Sequence, residues 1–218
     1  MCSIIGMKNN YKRINILSEN DIIILECPRS GKTTLTNMII KKEQDYQVIS
    51  LDSLMIAIKQ IFLELEINNK SKVSEMSKKI IPFLSIYLKN FKSNYPKSKI
   101  IIEEFQILLE DIMENPDFNK STIIGLGFTD ISEDEIYNNI RKEDRNLINS
   151  YTKKMDDNVL KSRITFSTKY SYHLKGICKK YNIPFFNTGI NRSQKLNEII
   201  YKIINTKIKI KENEYYEK

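Results

Sequence analysis

With 218 residues, 41% hydrophobic and 28% charged, the chain has the size and make-up of one globular domain able to bury a sizeable core. No apolar run approaches a membrane span, and Ser3-Ile4-Ile5-Gly6-Met7 is too short for the core of a secretory signal, so a membrane protein is excluded and a cytoplasmic one expected. The net charge of +8 suits a protein that handles polyphosphates; apart from Thr206-Lys207-Ile208-Lys209-Ile210-Lys211 near the end, the basic residues are spread out, with neither a concentrated basic helix nor a stacked aromatic motif, which disfavours nucleic acid as a partner.

The first readable element is the apolar strand Ile22–Leu25. It runs through Glu26 and Cys27 into Pro28, Arg29, Ser30, Gly31, Lys32, Thr33 and Thr34, and a helical pattern follows at once over 32–43. Strand, tight loop, Gly-Lys-Thr and helix is the layout of a phosphate cradle. Loop amides and a helix N-terminus point at an anion, Lys32 reaches its terminal phosphates, and the Thr33 hydroxyl ligates Mg²⁺. ATP with Mg²⁺ is the ligand expected there. Glu26 stands where the full pattern has its first glycine. A carboxylate turned into the loop opposes a triphosphate and argues against catalysis, whereas one turned to solvent is harmless.

Further strands are expected at Gln47–Leu51, Lys99–Ile102, Thr122–Leu126 and Pro184–Asn187, each short, continuous and rich in Ile or Phe, as in parallel strands covered on both faces. Helical patterns fall at 53–67, 72–93, 104–114, 132–142, 158–182 and 192–205. Ser132 and Glu135 form a capping box. Pro82 should kink or split the helix that contains it. Ile14–Leu17 offers an edge strand, and the last dozen residues are expected to fray. The alternation predicts a single α/β domain over 1–218: three layers, with a five-stranded, mainly parallel sheet and helices on both faces.

In such a sheet the strand ends share one rim, which places Asp52, at the end of the second strand, beside the phosphate loop. It can take the proton of an attacking hydroxyl, or simply cap the next helix. Glu103, ending the third strand, can organise a metal ion through water or bind the acceptor; a solvated strand end is the plain alternative. Arg141 and Arg145 lie four apart, so a helix continuing past 142 gives them one face, from which guanidinium groups can cover a transferring phosphate; a solvated basic face is the alternative. His173 has no suitably placed Ser, Cys or acid for a triad. Cys2, Cys27 and Cys178 are odd in number and lack C-x-x-C spacing, which argues against disulfides and zinc. Cys27 sits beside a helix N-terminus, a setting that lowers thiol pKa values.

Taken together, these residues resemble the nucleoside/nucleotide kinase-like branch of the P-loop NTPase fold, including adenylate kinase-like enzymes and small-molecule kinases related to chloramphenicol phosphotransferase and zeta toxins. The loop of that family often reads G-x-P-x-S-G-K-S/T, which Cys27 to Thr33 fit except at the first glycine. The resemblance implies an ATP- and Mg²⁺-dependent phosphotransferase with Asp52 as catalytic base. It further implies a lid-like segment at about 132–160 carrying Arg141 and Arg145, and Asn187 and Thr188 near the adenine. The partner is a small-molecule hydroxyl or phosphate acceptor. Two alternatives stay open: a degenerate ATP-binding module, suggested by Glu26, and a polynucleotide 5′-hydroxyl kinase, suggested by the charge. No Asn/Thr-Lys-x-Asp guanine motif follows the loop. The acceptor and the oligomeric state are not legible.

Overall fold

A computed structural model describes residues 16–65, 67, 72–104, 107–146 and 152–203. Five strands, β1 (Ile22–Glu26), β2 (Tyr46–Ser50), β3 (Lys99–Glu104), β4 (Thr122–Gly127) and β5 (Phe185–Asn187), form one parallel sheet in the order β2-β3-β1-β4-β5. β1 lies in the middle because all five of its residues are buried, so only a position with neighbours on both edges and covers on both faces suits it. The connecting helices are α1 (Lys32–Lys42), α2 (Leu51–Ile61), α3 (Val73–Asn94), α4 (Leu109–Glu114), α5 (Glu133–Asn146), α6 (Asp157–Lys180) and α7 over 192–203, with a single 3-10 turn at Leu63–Leu65 after α2.

Period-two alternation along the strands divides the core. Ile23, Leu25, Ile100 and Ile102 face α2, α3, α4 and the end of α6. Ile22, Ile24, Ile101 and Ile124 face α1 and α7, where Leu35, Ile39, Leu196 and Ile199 meet them. A third cluster, Cys27, Phe128, Ile136, Ile140, Leu160 and Ile164, fills the corner between the strand ends, α5 and α6. Each buried Ile or Leu contributes about 1.5–3 kcal/mol, so the two sheet faces carry most of the stability. Two glycines let α6 approach β4: a Cβ at Gly125 would lie 2.7 Å from Cys178 Sγ, and one at Gly127 would lie 2.9 Å from Ser171 Oγ.

Below the site rim, Asp21 is fully buried before β1. Its carboxylate accepts from Ser18 N (2.9 Å), Ile100 N (2.8 Å) and Lys92 Nζ (2.7 Å), tying β1, β3 and α3 together.

The three-layer arrangement matches the sequence expectation, and the helices and strands differ from it mainly at their ends. The pattern expected over 53–67 stops at Ile61 and gives way to the 3-10 turn. Pro82 does not split its helix: α3 continues through it, held by Met76, Ile80, Ile81, Leu84 and Leu88 on its buried face. Losing one N–H bond on the exposed side costs less than that burial returns. The capping box forms, with Glu135 N donating to Ser132 Oγ and Ser132 N to Glu135 Oε2. Ile14 and Asn15 of the proposed edge strand, and the chain's last dozen residues, lie outside the described residues; Ile16 and Leu17 belong to no strand, and Leu17 is a buried loop residue.

Candidate active site

The loop between β1 and α1 turns because two of its residues take left-handed backbone conformations: Arg29 at φ 75° and Gly31, the N-cap of α1, at φ 103°. Glycine takes this conformation without cost; arginine pays strain on the order of 1 kcal/mol, held by its surroundings. The Arg29 guanidinium donates to Thr152 Oγ1, and Thr152 in turn donates to Asp144 Oδ1 at 2.7 Å. On the other side, Thr188, fully buried, donates its hydroxyl to Ser30 O at 2.6 Å, while its N–H donates to Gly127 O at 2.8 Å. The cradle is thus fastened to α5, to the turn before α6 and to the end of β5.

Inside that loop lies a carboxylate. Glu26 ends β1 and turns its side chain inward, accepting from Ser30 Oγ (2.8 Å) and Lys32 N (3.3 Å) and lying 3.2 Å from Lys32 Nζ. Of the two orientations open to it in the sequence, the structure takes the inward one. The strand pleat explains this: Glu26 shares the α1-facing side with Ile22 and Ile24, so its side chain enters the loop rather than solvent. Burial pushes its carboxyl above the usual carboxylate range, against the opposing pull of Lys32 and Ser30. Burial alone would lower the Lys32 ammonium, but Glu26 and then Asp52 outweigh it and hold it above its ordinary value.

Asp52, in the first turn of α2, has its side chain 49% exposed and its Oδ2 3.0 Å from Lys32 Nζ. Lys32 therefore bridges a buried and a half-exposed carboxylate on the rim where strand ends meet. Thr33 and Thr34 are exposed in the first turn of α1, whose amides have no intrahelical acceptor. Glu103 is buried inside β3, paired with Ile24 and Ser50, rather than on a loop beyond the strand end; the strand runs one residue further, to Glu104.

Arg141 and Arg145 share α5, which does continue past 142. Arg141 pins the corner before α6: it donates to Thr152 O (2.9 Å), to Met155 O (2.8 Å) and to Asp157. That use differs from the expected cover over a phosphate. Arg145 is exposed near the end of α5. Asn187 Oδ1 accepts from Thr129 N (2.9 Å) and Thr129 Oγ1 (2.8 Å), and Thr188 braces Ser30, so both side chains hold loops where an adenine contact was expected. The space between Arg29, Phe128, Gly189 and Arg192 is only about 10 Å³, room for one water, with Glu143 bridging Arg192 (3.3 Å) and Arg29 (3.9 Å). Cys27 is not activated by its neighbouring helix: burial pushes its thiol up to about 12.

On the other side of Arg29 a pocket of about 680 Å³ opens between α2, α5 and α6, with Asp52, Pro28 and Arg29 on its loop side. Sequence reasoning missed this pocket and the Arg29–Thr152–Asp144 chain. Arg29 and Thr152 lie 123 positions apart in sequence, and neither the chain nor the pocket lining carries a common spacing.

No family model and no curated relative matches the sequence. The backbone does match solved structures. A gluconokinase from Sinorhizobium meliloti 1021 superposes with a TM-score of 0.52 over 91% of this chain and 97% of that one, at 11% identity. The fold is that of the P-loop kinases. A shikimate kinase from Bacteroides thetaiotaomicron (TM-score 0.43, 12% identity, 85% and 96% coverage) and a deoxyadenosine kinase from M. mycoides with bound dATP (0.39, 17%, 84% and 98%) also match. Within that P-loop fold, Lys32 and Asp52 come together as the sequence anticipates, and the Glu26 side chain occupies the inside of the loop. Among the described residues no helix is long and apolar enough to cross a membrane.

Proposed function

We propose that the chain is an ATP-dependent phosphotransferase acting on a small-molecule hydroxyl, with a cradle closed by Glu26 until nucleotide arrives. The observation that carries this reading is the Lys32–Asp52 contact of 3.0 Å at the edge of a pocket large enough for a small molecule. The acceptor oxygen attacks the γ-phosphorus, the bond to the β,γ-bridging oxygen breaks, ADP leaves, and the hydroxyl proton passes to Asp52 and on to water. Lys32 and the α1 amides hold the phosphate oxygens. Mg²⁺, a hard cation, suits the all-oxygen set of Thr33 with Glu103 through water; bound there, it would neutralise charge on the nucleotide. Arg145, exposed near the end of α5, is assigned in this reading to cover the transferring phosphate. A raised Glu26 pKa supports the scheme, because a protonated Glu26 no longer repels an entering phosphate.

Glu26 also supports a second reading, a nucleotide-binding module without transfer. Labelled ATP offered with a broad acceptor panel separates the two. A phosphorylated product lost in Asp52→Asn, with MgATP affinity retained, is the expected result. ATP binding with no transfer to any acceptor supports the module. Transfer that survives Lys32→Met overturns the assignment of the loop.

A further inference from the structure

We infer that the pocket beside the phosphate loop takes an apolar alcohol, a compound with an aryl or alkyl body and a hydroxyl at one end, rather than a sugar, a polyol or a nucleotide. This rests on the phosphotransferase reading for the fate of the hydroxyl, and on the pocket alone for the body.

The pocket's volume of about 680 Å³ suits a small organic molecule. Its walls come from helix faces set by sequence spacing: Ile136 and Ile140 four apart on α5, and Leu160, Ile164 and Ser167 on one face of α6. Eight of its thirteen described lining residues are apolar. Several of these, among them Phe128, Ile136, Ile140 and Ile164, are side chains of a hydrophobic core cluster, so the pocket floor is core surface left uncovered. At its mouth Ile56 is 59% and Phe166 52% exposed, apolar surface that a ligand body would remove from water.

The polar groups fall at two places. Asp52 and Arg29 stand on the phosphate-loop side, where Arg29 and Thr152 are already bonded to one another. Ser167 and Arg163 are the polar residues of the α6 wall. A polyol buried against these walls would lose hydrogen bonds to water at most of its hydroxyls and find few replacements, whereas an alcohol with one hydroxyl needs a single polar partner, and Asp52 supplies it.

The test measures binding to the intact protein without ATP, then transfer with it. Saturation-transfer NMR and calorimetric titration compare 2-phenylethanol, 3-phenylpropan-1-ol and 4-phenylbutan-1-ol with D-sorbitol and D-gluconate. Affinity for the aryl alcohols should rise about fourfold per added methylene, and the polyols should bind at least tenfold more weakly. Phe166→Ala and Ile56→Ser, both at exposed positions that folding tolerates, should weaken the longest alcohol at least threefold, with circular dichroism reporting an intact fold. Aryl alcohol binding with no phosphorylated product sustains the pocket's preference and removes the kinase reading. Phosphorylation of polyols with aryl alcohols inert, or affinities that ignore chain length and both variants, overturns the inference.

Discussion

Replacing Glu26 by glycine should tighten MgATP binding by one to two orders of magnitude. In the resting loop the carboxylate accepts from Lys32 N and Ser30 Oγ and sits 3.2 Å from Lys32 Nζ, and an entering phosphate needs the same lysine groups. A hydrogen bond to a charged group is worth about 1.5–3 kcal/mol, and that is the cost of releasing the carboxylate. Leaving it in place is worse, since like charges 4 Å apart repel by about 4 kcal/mol at an effective dielectric constant of 20. The cheaper route sets the penalty, and removing 1.5–3 kcal/mol corresponds to about 10- to 150-fold in affinity. Glycine in a strand loses about 0.5–1 kcal/mol of fold stability, which leaves the measurement accessible. Isothermal titration calorimetry of wild type, Glu26→Gln and Glu26→Gly should give affinities rising in that order, because glutamine keeps the bonds without the charge. An affinity unchanged or weakened in Glu26→Gly, with the fold intact, would refute competition between this carboxylate and the nucleotide.

The same group predicts a pH dependence. Burial holds its folded pKa above that of a carboxyl in the unfolded chain, so its stabilising contribution is full below the unfolded value and declines as pH rises through the raised one. The neutral form also admits anions better, so wild-type MgATP affinity should fall more steeply with rising pH than that of Glu26→Gln, which reports the ligand's own titration. Gly125→Ala should destabilise by about 1–3 kcal/mol in urea unfolding, since its Cβ would meet Cys178 Sγ at 2.7 Å; adding Cys178→Ala should recover part of the loss, and strict additivity would count against that contact. Asp21→Ala should cost about 3–5 kcal/mol, because it leaves Lys92 and the Ile100 amide without their buried partner; a loss under 1 kcal/mol would show that water replaces it.

The sheet was legible because parallel strands are buried on both faces and leave continuous apolar runs, as in Ile22–Leu25 and Ile100–Ile102. The cradle was legible because Gly31 and Lys32 answer to local needs of backbone and charge. Side-chain direction at Glu26 was left undecided by the sequence, since it depends on which face of β1 meets α1. The roles of Arg141 and Thr188 escaped for a related reason. Arginine four residues from arginine has the same spacing whether it covers a phosphate or pins Thr152 and Met155 to a corner, and only tertiary distances separate those uses.

Thr188 on Ser30 and Arg29 on Thr152 have a consequence for how occupancy changes. A turn sewn to its neighbours on both flanks has surrendered its freedom at folding, so a newcomer meets a finished mould and little additional ordering is required. Exchange of a glutamate oxygen for a phosphate oxygen then becomes a swap within a fixed outline. Under the proposed function, nucleotide entry requires the departure of one side chain, and the surrounding backbone keeps its path.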